Sequence, residues 1–210
     1  MKYSVKEIFL TIQGEGYNSG RKAIFCRFSG CNLWNGEESS KKASKCNFCD
    51  TDFLGVDGIN GGKYTLSALI NKIEKVSKED AKTKKLIVFT GGEPLLQLNE
   101  QLIKNLKKKN YEIAIETNGT IKPPQGVDWI CVSPKIKSKL VLNYGNELKV
   151  VYPQEGLNLN ELEKFNFEHF FLQPLHNEKY EQNLKKTLKT IMKYPKWKLS
   201  LQTHKYIGVK

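Results

Sequence analysis

The chain has 210 residues, 39% of them hydrophobic and 27% charged, which suits one domain with its own core and is too apolar for disorder. No apolar run nears the roughly 20 residues of a membrane span, and Met1 to Leu10 lacks a signal-peptide layout, so neither membrane insertion nor secretion is expected. The 34 basic and 22 acidic side chains leave a net charge of +12, yet only Arg21 and Arg27 are arginines, and lysines spread along the whole chain read as solvated surface and not as a nucleic-acid patch.

In chain order, Ala23 to Ser29 reads as a strand. Leu66, Leu69, Ile70, Ile73 and Val76 keep helical spacing behind a candidate N-cap at Thr65. Leu86 to Phe89 is a continuous apolar run, as in a strand buried on both faces. Leu95, Leu98, Leu102 and Leu106 mark the next helix. Strands follow at Glu112 to Ile115, Trp129 to Val132, Leu148 to Tyr152 and Phe170 to Leu172. A last helix carries Leu184, Leu188 and Ile191, and Leu199 to Leu201 reads as a final strand. Alternating strands and helices imply a parallel sheet, but eight units need about 250 residues. Between the third and fourth strands lies only the turn-rich Thr117 to Gly126. A partial, open barrel of six βα units with trimmed connections is expected, residues 1–210 forming one domain; a doubly wound sheet is the alternative.

The irregular residues fall in register. Cys31 follows the first strand, Gly91-Gly92-Glu93-Pro94 the second, Glu116-Thr117-Asn118-Gly119 the third, Ser133-Pro134-Lys135 the fourth and Gln173-Pro174-Leu175-His176 the sixth. Parallel strands point one way, so these clusters gather at their carboxyl ends, where such sheets hold ligands.

Five cysteines, an odd number, argue for a reducing, cytoplasmic compartment and for thiol or metal chemistry. Cys31, Cys46 and Cys49 are spaced C-x14-C-x2-C. Soft thiolates select zinc or iron–sulfur; closed structural zinc wants four ligands, and an iron–sulfur cluster with three leaves one iron open. Cys26 is the fourth candidate, but inside an apolar run it reads as a small core residue, as does Cys131 within Trp129 to Val132.

The three-cysteine loop after the first strand, Phe48 just before its last cysteine, and Gly-Gly-Glu-Pro after the second strand resemble the radical S-adenosylmethionine superfamily, apart from the long insertion Asn32 to Lys45. Glu7 to Gly16, Phe25 to Leu33, Cys49-Asp50-Thr51, Glu116 to Gly119 and Ser133 to Lys135 resemble the 7-carboxy-7-deazaguanine synthase family within it, from about residue 7 onward. That resemblance implies an open barrel of the radical S-adenosylmethionine kind, with an N-terminal extension and a modified cluster loop at 31–49.

The resemblance also implies a [4Fe–4S] cluster on Cys31, Cys46 and Cys49, its open iron chelated by S-adenosylmethionine. Reduction by a donor such as flavodoxin or ferredoxin then yields a 5′-deoxyadenosyl radical. The implied substrate is 6-carboxy-5,6,7,8-tetrahydropterin, whose ring contracts with loss of ammonia to 7-carboxy-7-deazaguanine, a precursor of queuosine-type bases. Ile12, Gln13, Gly14, Glu15, Thr90 and the C-terminal Lys210 would face substrate. Arg27 would clamp its carboxylate, a surface ion pair being the plainer reading. Phe48, Cys49, Asp50, Gly92, Glu93, Ser133, Pro134, Lys135, Gln173, Pro174, Leu175 and His176 would hold the cofactor, and Thr51 a Mg2+ ion. A homodimer is implied, without nucleic acid or membrane as partner. Two other readings stand beside this one: another radical enzyme such as a glycyl-radical activase, and a zinc-stabilised RNA-binding module.

Overall fold

A computed structural model describes residues 2–78 and 83–210. Its elements run β1 (Tyr3–Ile12), β2 (Lys22–Phe28), α1 (Glu38–Lys41), β3 (Gly62–Tyr64), α2 (Leu66–Ser77), β4 (Lys85–Gly91), α3 (Glu100–Lys107), β5 (Tyr111–Thr117), β6 (Trp129–Val132), β7 (Tyr144–Tyr152), α4 (Leu159–Leu162), β8 (Asn166–Pro174), α5 (Tyr180–Ile191), β9 (Trp197–Leu199) and α6 (Thr203–Ile207). One sheet joins all nine strands in the order β3-β1-β2-β4-β5-β6-β7-β8-β9. From β2 to β9 every pairing is parallel, while β1 runs antiparallel to both β2 and β3. The ends of the order do not pair, so the barrel stays open. Among the described residues no helix is long and apolar enough to cross a membrane.

The two-residue period of each strand sorts its side chains onto two faces. Ile24, Cys26, Phe28, Ile87, Phe89, Ile113, Ile115, Leu148, Val150 and Leu172 point outward, into one core with Leu69, Ile73, Leu102 and Leu106 of α2 and α3. Facing inward, Ala23, Phe25, Leu86, Val88 and Ala114 join Phe9 in a smaller cluster. Beyond it the inward positions turn polar at Arg27, Thr90, Glu116, Lys149 and Gln173, toward the carboxyl ends of their strands. An apolar floor thus supports a polar mouth.

Seven strands read from the sequence are present, and β1 and β3 are additional. β1 escapes the pattern because Lys6 and Glu7 interrupt it and a register shift separates Val5 from Glu7. Three elements also move. The stretch after β4 opens with a 3-10 turn (Pro94–Leu96) whose first amide is capped by Glu93, and α3 starts only after Asn99 accepts from Leu102 N at 3.0 Å. The final strand is Trp197–Leu199 and not Leu199 to Leu201; Ser200 N adds one more bond to the neighbouring strand, to Leu172 O at 2.9 Å. Helix α5 buries Asn183 and Thr187 in place of Leu188, which is exposed. Asn183 Nδ2 donates to Leu175 O at 2.8 Å, so a hydrogen bond to the loop after β8 sets the helix's rotation.

Candidate active site

The carboxyl ends of the parallel strands surround a cavity of about 520 Å³. Ile12, Gln13, Gly14, Glu15, Arg27, Thr90 and Lys210 all line it, as do Cys31, Cys46, Cys49 and Thr51. From the expected cofactor side Phe48, Asp50, Gly92, Ser133, Lys135, Gln173, Pro174, Leu175 and His176 reach it too. Two expected residues do not. Pro134 is buried, its carbonyl accepting from Gln154 Nε2 at 3.4 Å. Glu93 is fully buried behind the wall, where its carboxylate accepts from Leu95 N (3.0 Å), Thr117 Oγ1 (2.7 Å) and Asn118 N (2.8 Å). It ties the loop after β4 to the loop after β5, and burial pushes its carboxyl up despite those donors.

Cys26 and Cys131 are core residues, as their places inside apolar runs suggested. Cys26 points into the outer core with no exposure, and burial pushes its thiol well up. Cys131 is likewise buried, its thiol donating to Glu147 Oε1 at 3.4 Å. In the cluster loop the Cys46 thiol donates to Cys49, which holds Cys49 down at about 6, close to thiolate at neutral pH. Cys31 is pushed up by burial. Among the described residues no three His, Cys, Asp or Glu side chains close on a single ion. An iron–sulfur cluster takes one thiolate per iron and requires no such convergence, so three cavity-facing thiols fit it as a donor set. Beside them Gly92 leaves no room for a side chain: a Cβ there would overlap the Gly30 carbonyl and crowd Cys31. The Lys135 ammonium lies 5.7 Å from the centre of the Phe48 ring.

On the other side, register aligns Arg27 with Glu7 on β1 and Thr90 on β4. Arg27 Nε donates to Glu7 Oε1 at 2.9 Å, and the Lys210 ammonium contacts the other carboxylate oxygen. Burial would raise Glu7, but the hydrogen bonds and charges of Lys210 and Arg27 outweigh it and hold the carboxyl below its usual value. Arg27 is thus half of an ion pair that faces the cavity. Asp50 is engaged by Lys205 at 3.1 Å and Asp52 by Lys6 at 2.8 Å, with Thr51 between them.

Sequence reasoning assigned no role to Glu7, Lys149, Gln202 or His204, all of which line the cavity, and placed Glu116 only within the loop cluster after the third strand. For Lys149 a signal existed: it is a charge inside the apolar run Leu148 to Tyr152. Gln202 and His204 follow the last strand in a stretch with no periodicity to place them.

Comparison with known proteins finds relatives along the whole chain. A signature described as the radical SAM superfamily matches residues 43–130, which hold Cys46, Cys49 and the Gly91-Gly92 turn. A protein from Bordetella pertussis named 7-carboxy-7-deazaguanine synthase is 48% identical, over all of this chain and all of its own. A Caulobacter vibrioides protein of that name is 47% identical over the same full spans. The crystal structure of QueE from Escherichia coli superposes with a TM-score of 0.70 at 25% identity, covering 96% of this chain and 94% of that one. Full-length likeness at this level disfavours both a zinc-stabilised RNA-binding module and a glycyl-radical activase. With its open barrel, three-thiol loop and polar mouth, the chain belongs to the 7-carboxy-7-deazaguanine synthase family of the radical S-adenosylmethionine superfamily.

Proposed function

We propose that the chain converts 6-carboxy-5,6,7,8-tetrahydropterin to 7-carboxy-7-deazaguanine with loss of ammonia, a carbon–nitrogen lyase reaction. The observation that carries this reading is the meeting, in one cavity, of three cluster-type thiols with a guanidinium and paired carboxylates. Cys31, Cys46 and Cys49 would hold a [4Fe–4S] cluster, which with S-adenosylmethionine would supply the radical chemistry. The chain's own residues bind and orient. Arg27 and Lys210, both braced by Glu7, give a carboxylate two cations to pair with. Gln13, Glu15 and Thr90, with the backbone at Ile12 and Gly14, take the edge of the pterin ring. Phe48, Asp50, Gly92, Ser133, Lys135 and the Gln173 to His176 turn hold S-adenosylmethionine, while Glu93 and Pro134 support that wall from behind. Thr51 would offer a hard oxygen to Mg2+; Asp50 and Asp52 on either side are engaged by Lys205 and Lys6. An acidic electron carrier such as flavodoxin, a homodimeric assembly and the cytoplasm complete this reading, in keeping with five free cysteines.

The test is anaerobic incubation of reconstituted protein with the carboxylated tetrahydropterin, S-adenosylmethionine, Mg2+ and a reductant, followed by mass analysis. A product lighter by ammonia supports the assignment, and leaving out Mg2+ should slow its formation. Cleavage of S-adenosylmethionine with the pterin recovered unchanged overturns it.

A further inference from the structure

Lys149 sits midway along β7 on the inward face, 4% exposed. Its ammonium contacts Glu15 Oε2 and lies 3.5 Å from Glu116 Oε1. Each carboxylate has further donors: Gln202 Nε2 reaches Glu15 Oε1 at 2.8 Å, Gln13 Nε2 reaches Glu116 Oε1 at 3.0 Å, and Thr90 Oγ1 lies 3.5 Å from Glu116 Oε2. The exit of β1, strands β4, β5 and β7, and the segment before α6 therefore meet at one cation on the cavity wall.

Two carboxylates in an enclosed site do not both stay ionised without a cation between them; one takes up a proton, and a protonated carboxyl becomes a donor where an acceptor is needed. We propose that Lys149 is a positioning residue for substrate: its ammonium, set between Glu15 and Glu116, balances the two carboxylates and holds them as a pair of acceptors for a ligand edge rich in N–H donors. The 2-amino-4-oxo ring of a pterin presents such an edge, and to that extent the inference rests on the function proposed above.

The other groups facing the ammonium are Glu147, Cys131 and His204. Glu147, two residues earlier on the same strand face, accepts from Tyr17 N at 3.0 Å and from the Cys131 thiol, and burial pushes both the Glu147 carboxyl and that thiol toward their neutral forms. Burial lowers the His204 imidazole, which favours its neutral form, although the Glu15 and Glu116 charges pull the other way. Gly16 brings the loop this close: at φ +62° it passes against Glu147, where a Cβ would overlap the carboxylate.

Because a buried ion pair can serve the fold alone, the test reads proton uptake as well as affinity. Holoenzyme is titrated with pterin-6-carboxylate, an unreactive oxidised analogue, at several values between about pH 5.5 and 7.5. The wild type is expected to bind with a flat profile, as is Lys149→Arg. Lys149→Met is expected to bind at least about tenfold more weakly at the acid end and to recover as pH rises and the second carboxylate ionises. Wild-type affinity with a flat profile in Lys149→Met overturns the inference. If Lys149→Met does not fold, the double variant Lys149→Met/Glu116→Gln, which removes one charge of each sign, is expected to fold and bind without pH dependence. Its failure to fold also overturns the inference, because Lys149 then serves the fold and not the carboxylates. A wild-type enzyme that does not bind the analogue overturns the pterin reading itself, which the variants alone leave untouched.

Discussion

Cys26 and Cys46 are both buried thiols, at no exposure and 5% exposure, yet they face opposite ways. One fills the outer core beneath the helices and the other looks into the cavity. Cys46→Ala should abolish iron and sulfide retention after anaerobic reconstitution. Cys26→Ala should retain both and lower the stability by about 1 kcal/mol. A Cys26 variant that loses its iron would put the assigned ligand trio in error. Arg27 carries the second residue-level expectation. Arg27→Ala should weaken binding of the carboxylated pterin by about 2 to 3 kcal/mol, the range of a lost charge-assisted pair. Uncoupled cleavage of S-adenosylmethionine should persist in that variant; its disappearance would move Arg27 to the cofactor side.

At the scale of elements, the strand-to-loop alternation was legible because parallel strands covered on both faces are written as apolar runs, as in Leu86 to Phe89. The site was legible for a related reason: its residues follow those runs at once, so fixing a strand fixes the turn at its end. β1 was not legible, since its inward face is already functional and mixes Glu7 with Phe9. That Lys149 meets Glu15 and Glu116 needed the register between strands, which no single stretch of sequence carries. The loop leaving β1 shows how tightly that register is drawn. Gly16 N donates to Ser200 Oγ at 3.0 Å, Gly14 O accepts from Thr203 N at 2.9 Å, and Tyr17 N bonds to Glu147. Gly16→Ala must adopt positive φ, at about 1–2 kcal/mol, and displace the Glu147 carboxylate as well. Its urea midpoint should fall, and its KM for the pterin should rise more than its kcat drops, because Glu15 moves with the loop. An unchanged KM would detach this loop from the substrate.

For the whole molecule, an open barrel with a polar mouth has a consequence in acid. Ion pairs bridge its strands: Glu7 on β1 with Arg27 on β2, Glu15 beyond β1 with Lys149 on β7, and the more exposed Arg21 before β2 with Glu112 on β5. Burial opposes ionisation of Glu15, but Lys149's charge and hydrogen bond, with Gln202, outweigh it and bring the carboxyl from 4.5 to about 2. At Glu112 the Arg21 hydrogen bonds are the largest influence, and that carboxyl is lowered too. A carboxyl lowered by folding stabilises the native state above its unfolded value, and the contribution disappears as pH falls toward the folded value. For Glu15 the loss is on the order of 3 kcal/mol. Glu93 and Glu147, raised by burial, act with the opposite sign above 4.5 and are spent below it. The acid limb therefore belongs to the lowered set, and every proton taken up adds to a chain already at +12. Cluster-free protein should lose stability steeply between about pH 4.5 and 3 in urea titrations, and Glu15→Gln should flatten that limb while lowering the plateau near neutrality. A wild-type stability that stays level down to about pH 3 would mean these bridges do not hold the open barrel together.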